Sequence, residues 1–245
     1  MCLIAIAHRA SERFPLVIAA NRDEDYERAS EDARFWSDAP EVIGGRDAVH
    51  GGSWLAITRS GRFAAVTNLR GAQRMRRSRG ALVRDFVTST TEPRAFADAL
   101  LRDAAEYSGF HLLAGQAGGE IVHVTQDSWS PLAAGIHAIS NAPAGELWPK
   151  TTIAIDAMKE ALGEPASLMR FLMHFLTTPR DSGSVVSEVF IAGDRYGTRA
   201  STVIIVTERE IHFAERTFAR GGAAMRSYSL AFPMVGSSVT SSTSG

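Results

Sequence analysis

The second residue of this 245-residue chain is its only cysteine. A methionine followed by a residue as small as cysteine is a substrate for methionine aminopeptidases, and loss of Met1 would leave Cys2 with a free α-amine. In model peptides a thiol titrates near ~8.5 and an α-amine near ~7.7–8.0. Together they make a nucleophile that carries its own general base. With Met1 retained the nitrogen is an amide and that base is lost. Position alone favours a plainer reading, a small apolar residue at the start of a strand, because free cysteines are commonly buried. A lone cysteine excludes an intrachain disulfide and argues against a cysteine-based zinc site.

The next candidates lie in Ala19-Ala20-Asn21-Arg22-Asp23-Glu24, where two apolar residues give way to four polar ones. Asp23 is able to hydrogen-bond and orient an ammonium, and Asn21 offers both a donor and an acceptor. By themselves the four residues read more simply as solvated charges where a strand meets a turn. Five arginines (70, 74, 76, 77 and 79) fall within ten residues. They could clamp a phosphate or carboxylate of a ligand such as an acyl-CoA, although a solvated loop is the commoner explanation. The stretch has no interleaved aromatics, so it does not read as a nucleic-acid site. Gly51-Gly52 ahead of Trp54 suits a tight backbone approach, with Trp54 packed in the core or lining a site entrance. Seven scattered histidines form no His-Glu-x-x-His or haem-attachment pattern, and no glycine-rich phosphate loop is present. No metal or cofactor is expected.

Apolar runs of strand length surround these residues. Leu3–Ala7 and Leu16–Ala20 are apolar at nearly every position, as central strands covered on both faces would be. Ser53–Thr58 and Phe63–Thr67 flank a glycine turn; Phe110–Ala114, Ile121–Thr125, Ile136–Ser140, Thr202–Thr207 and Ile211–Thr217 are further strands. Helices are expected near 81–87, 96–104, 151–162 and 165–176, with Pro93 in a first turn and Gly163 as a break. Segments 25–50 and 70–79 read as loops. Strands grouped between pairs of helices suit an α+β fold of two stacked antiparallel sheets with helices outside. One domain over 1–232 is expected, followed by a disordered Ser/Thr/Gly-rich tail over 233–245.

The bulk composition narrows the class. With 45% hydrophobic and 22% charged residues the chain can bury a large core, and a net charge of −1 gives no global pull toward nucleic acid. No apolar run is long enough to span a membrane, and Leu3–Ala7 is too short for a signal peptide. A cytoplasmic protein acting on a small molecule is the expectation.

Taken in order, Met1-Cys2, Ala-Asn-Arg-Asp-Glu, Gly51-Gly52-Ser53-Trp54-Leu55, Val66-Thr67-Asn68, Arg79-Gly80, Ser140-Asn141-Ala142, Trp148-Pro149-Lys150 and Tyr196-Gly197-Thr198-Arg199 resemble the NRDE-domain family. Its eukaryotic members are called transport and Golgi organization protein 2. That family is in turn similar to the choloylglycine hydrolase and penicillin V acylase group of N-terminal-nucleophile hydrolases. The resemblance implies a four-layer αββα sandwich. It implies Cys2 as nucleophile, Asp23 beside its amine, Asn68 and Asn141 as oxyanion donors, and Arg199 in the charge balance. Asn21, Arg22 and Trp54 are expected to contact substrate. Where the amidohydrolases carry an arginine this chain has Ala20, and Arg22, two residues on, is not expected to fill the same space. Two functions follow from the resemblance: hydrolysis of the C–N bond of a small amide or related acyl group, or a non-catalytic haem, lipid or acyl-CoA carrier on the same fold.

Overall fold

The structure, a computed structural model, describes residues 2–72, 75–143, 145–179 and 188–235. Among the described residues thirteen strands make two fully antiparallel sheets, flanked by four α-helices. β1 (Leu3–His8), β2 (Leu16–Asp25), β10 (Gly135–Ile139), β11 (Tyr196–Val206), β12 (Glu210–Phe218) and β13 (Ala224–Pro233) form one, in the order β10-β1-β2-β11-β12-β13. The other runs in chain order: β3 (Ser30–Trp36), β4 (Ala39–Asp47), β5 (Leu55–Thr58), β6 (Arg62–Asn68), β7 (Phe110–Gln116), β8 (Ile121–Val124) and β9 (Trp129–Pro131).

Strand alternation explains why the runs are apolar throughout. Leu3, Ala5, Ala7, Val17 and Ala19 face α3 (Pro149–Gly163) and α4 (Leu168–Thr177), where Met158, Leu172 and Phe175 cover them. Ile4, Ile6, Leu16, Ile18 and Phe213 point the other way, against Ile43, Ile57, Phe63 and Leu113 of the second sheet. That sheet's outer face, with Val42, Ala64 and Leu112, is closed by Leu82, Val83 and Phe86 of α1 (Gly80–Val87) and Ala97 and Leu100 of α2 (Pro93–Asp103). The layers are therefore αββα, and each fully buried aliphatic side chain contributes about 1.5–3 kcal/mol. Pro93 and Pro149 occupy the first turns of their helices, where the missing N–H would have had no partner.

Several segments differ from expectation. Residues 25–50 are not a loop, since β3 and β4 occupy most of them. β3 is a half-exposed edge strand without apolar alternation, and β4 contains Pro40 and Gly44-Gly45, which read as breakers. Gly45 is needed there because a Cβ would lie 2.2 Å from the Trp54 ring. β2 continues five residues past Ala20, so Asn21–Asp25 belong to a strand rather than a turn. β13 is an exposed edge strand ending at Pro233, and most of the expected tail, 236–245, lies outside the described residues. Among the described residues no helix is long and apolar enough to cross a membrane.

Candidate active site

Cys2 stands just ahead of β1, where the register pairs Leu3 with Asn21. One step further along that antiparallel register lies Arg22. Because Leu3 faces the helices, Cys2 takes the opposite face, between the sheets, together with Ala20 and Arg22 of β2. Arg22 thus shares the face of Ala20, contrary to expectation, because residues two apart on a strand point the same way. The Cys2 thiol is half-buried and lies 3.9 Å from the carbonyl oxygen of Asp23. It opens on a cavity of about 570 Å³ whose walls include Arg22, Asp23, Trp54 and Asn68, with Arg76, Arg77 and Arg79 also on its lining. Ser53 and Gly80 line one side of it: Ser53 N–H donates to Gly80 O (3.0 Å), and this close approach needs Gly52, where a Cβ would lie 2.3 Å from the Gly80 carbonyl carbon.

Asp23 is buried, and its Oδ1 accepts from Thr198 Oγ1 at 2.7 Å. Burial pushes its carboxyl above the usual carboxylate range, while the nearby Lys150 ammonium and the Thr198 hydroxyl pull it down. Lys150, the second residue of α3, is fully buried, and its Nζ has no hydrogen-bond partner among the described residues. Burial lowers the Lys150 pKa, and the negative charge of Asp23 opposes that. Lys150 was not singled out as a site residue. The sequence carries two signals for it: its place in the Trp148-Pro149-Lys150 segment of the resemblance, and a lysine in the first turn of a helix, where the macrodipole disfavours a cation.

Asn68 ends β6 and Asn141 follows β10, so this pair joins the two sheets. Asn141 is fully buried and donates both amide hydrogens to Asn68, at 2.7 Å to the backbone oxygen and 2.8 Å to Oδ1. The connection is pinned further by Thr67 Oγ1 donating to Ser140 O (2.9 Å) and Arg70 N–H donating to Asn141 O (3.0 Å). His111 Nε2 donates to Ala142 O at 2.8 Å, and its Nδ1 lies 3.0 Å from His123 Nε2. Burial lowers both imidazoles, His123 to about 4, so they pin the loop in their neutral forms. Asn141 does not present an N–H to the cavity. It fixes Asn68, which does line it.

Two other expected residues lie elsewhere. Asn21 shares the helix-facing side of Leu3 and donates its amide hydrogens to Leu176 O (2.9 Å) and Val189 O (2.8 Å). It ties β2 to the end of α4 and does not reach the cavity. Arg199 occupies a bulge in β11, between Thr198 and Ala200. Its Nη1 donates to the carbonyls of Asp25, Tyr26 and Arg28 at 2.9–3.1 Å. It therefore holds the β2–β3 turn and lines a second cavity of about 450 Å³, which Arg22 and Trp54 also border. Among the described residues no group of three or more His, Cys, Asp or Glu side chains is placed to hold a metal ion.

Residues 1–220 match the family model described as Transport and Golgi organisation 2. A human relative named Transport and Golgi organization protein 2 homolog is 30% identical, over 83% of this chain and 87% of its own length. The Drosophila melanogaster Transport and Golgi organization protein 2 is 28% identical, over 89% and 92%. Among solved structures, penicillin V acylase from Agrobacterium tumefaciens superposes with a TM-score of 0.51 at 11% identity, covering 96% of this chain and 86% of that one. The likeness to the acylase is one of fold, two antiparallel sheets between helix layers. The chain belongs to the Transport and Golgi organisation 2 family.

Proposed function

We propose that the protein is an N-terminal cysteine hydrolase acting on the C–N bond of a small amide. The observation that carries this reading is the placement of Cys2 on the inter-sheet face, beside Asp23 and across one cavity from Asn68. After removal of Met1 the neutral α-amine takes the proton from the thiol, and Sγ attacks the amide carbonyl. The carbonyl oxygen becomes an oxyanion, which Asn68 Nδ2 stabilises by donation. Collapse breaks the C–N bond; the α-ammonium returns the proton to the departing nitrogen and leaves a thioester on Cys2. Water, deprotonated by the same amine, hydrolyses the thioester and regenerates the thiol. Asp23 orients the amine, and buried Lys150 supplies a second positive charge that disfavours protonating it. Asn141 serves by positioning Asn68.

The test uses two forms of the protein distinguished by intact mass, one retaining Met1 and one lacking it. An electrophilic acyl probe should label Cys2 rapidly in the form lacking Met1 and slowly in the other. Equal rates in the two forms would overturn the self-activated nucleophile.

A further inference from the structure

We propose that Arg22 and Trp54 form a carboxylate subsite beside Cys2, which makes the substrate a small amide with an acid group close to the scissile carbonyl, as in an N-acyl amino acid. The substrate half of this proposal rests on the Cys2 reading above; the anion subsite stands on its own observations.

Arg22 is only 6% exposed and its guanidinium carbon sits 4.4 Å from the Trp54 ring centroid. Its nearest acid, Glu24, is 3.9 Å away. Arg28 also approaches Glu24, at 3.7 Å, and binds Asp47 at 2.6 Å, so Glu24 is shared between two arginines and matches Arg22 only in part. Arg22 Nη1 and Trp54 Nε1 are both buried without a hydrogen-bond partner among the described residues. Buried donors left unmade cost free energy, and native structures rarely tolerate two on stacked neighbours without a reason. A single acceptor group bound at their shared wall would satisfy both. The guanidinium makes an anion the preferred acceptor, because charge-assisted bonds to carboxylate are the stronger kind. Burial also works against the charge on Arg22, and a bound carboxylate would offset that. Arg76, Arg77 and Arg79 on the same cavity add a positive field that draws anions inward.

The subsite also lies at a useful range from the thiol. Cross-strand neighbours on one face begin ~4.5–5.5 Å apart at Cβ, so an acid held by Arg22 lies only a few bonds from a carbonyl held at Cys2.

Because Cys2 is the only cysteine, alkylation kinetics read the subsite without knowledge of the acyl group. An unassisted thiolate reacts faster with neutral iodoacetamide than with anionic iodoacetate. In protein lacking Met1, iodoacetate should instead be faster, by roughly tenfold, as one good charged contact supplies. The rate should saturate with reagent, and N-acetylglycine should protect where N-acetylglycinamide does not. Arg22→Gln should abolish the preference. Trp54→Phe keeps a stacked ring, removes only the indole N–H, and should reduce the preference several-fold even if the Arg22 variant fails to fold. A linear, iodoacetamide-preferring reaction in the unmodified protein, or a preference that survives these substitutions, overturns the subsite. Were Cys2 inert to both reagents, the nucleophile reading would fail instead, and calorimetric binding of N-acetylglycine but not of its carboxamide would still decide the subsite.

Discussion

Asn21 and Asn68 are two asparagines near the ends of buried strands whose amides face opposite layers. Asn21 spends both N–H groups on the carbonyls of Leu176 and Val189, on the helix side of its sheet. Asn68 is held by Asn141 on the cavity side. Asn21→Asp sets a carboxylate against two carbonyl oxygens in a buried site and should cost about 3–5 kcal/mol of stability, while labelling of Cys2 per folded molecule stays near the unmodified rate. Asn68→Ala should do the reverse: turnover falls ~10²–10³-fold with the loss of one oxyanion donor, and stability changes by about 1 kcal/mol. Denaturant midpoints and single-turnover rates on the same preparations check both, and an activity loss for Asn21→Asp equal to that for Asn68→Ala would remove the distinction. The sequence made Cys2, Asp23 and Trp54 legible as candidates from their chemistry and position, whereas Asn68 became one only through the family resemblance. It could not show which face each took, since that depends on where β2 ends. Reading the strand as stopping at Ala20 hid the alternation that sends Asn21 to the helices and Arg22 to the cavity.

The elements hardest to read were those held by polar contacts rather than by an apolar stripe. β3 is such a strand, and one of its anchors is a carboxylate of the facing sheet. Glu215 of β12 is buried; its Oε1 accepts from Ala33 N–H and its Oε2 from Thr202 Oγ1, each at 2.9 Å. Nothing in the pattern Phe213-Ala214-Glu215-Arg216 distinguishes this residue from a solvated strand charge. Burial pushes the Glu215 carboxyl up to about 7 from an ordinary 4.5, against the pull of its two hydrogen bonds and of Arg22. Between those two values the folded protein holds a proton that the unfolded chain has released. The contribution of Glu215 is therefore fully present below 4.5, falls as pH rises toward 7, and is constant above that. The change is about 3 kcal/mol. Glu215→Gln keeps an acceptor for Ala33 and reverses the Thr202 bond, its Nε2 donating to Thr202 Oγ1, without titrating. Relative to the unmodified protein it should become more stable by about that amount between pH 4.5 and 7, measured as the difference of urea midpoints. A difference that does not vary with pH would mean Glu215 titrates normally.

At the scale of the whole molecule, the layer order was legible because the central runs Leu3–Ala7 and Leu16–Ala20 are apolar at nearly every position, which only a sheet covered on both sides can accommodate. Two helix pairs supply the outer covers, and each sheet supplies the inner cover of the other. That mutual covering bears on how the protein unfolds. Ile18, Phe63 and Phe213 are fully buried between the sheets, so neither sheet keeps its inner face dry once the other is lost. The protein should unfold in one cooperative transition rather than sheet by sheet. Phe213→Ala opens a cavity at that shared layer and should cost about 3–5 kcal/mol. Tryptophan fluorescence and far-UV circular dichroism report on different parts of this architecture. Of the four tryptophans, Trp36 and Trp129 lie in the layer against α1 and α2 and Trp54 packs against the inter-sheet layer, whereas backbone dichroism averages both sheets and the helices. If the sheets stand or fall together, both signals shift to the same lower urea midpoint in Phe213→Ala with an unchanged denaturant slope. Separation of the two curves would show that one sheet with its helices persists alone, and the inter-sheet cavity that holds Cys2 would then open before the rest of the protein unfolds.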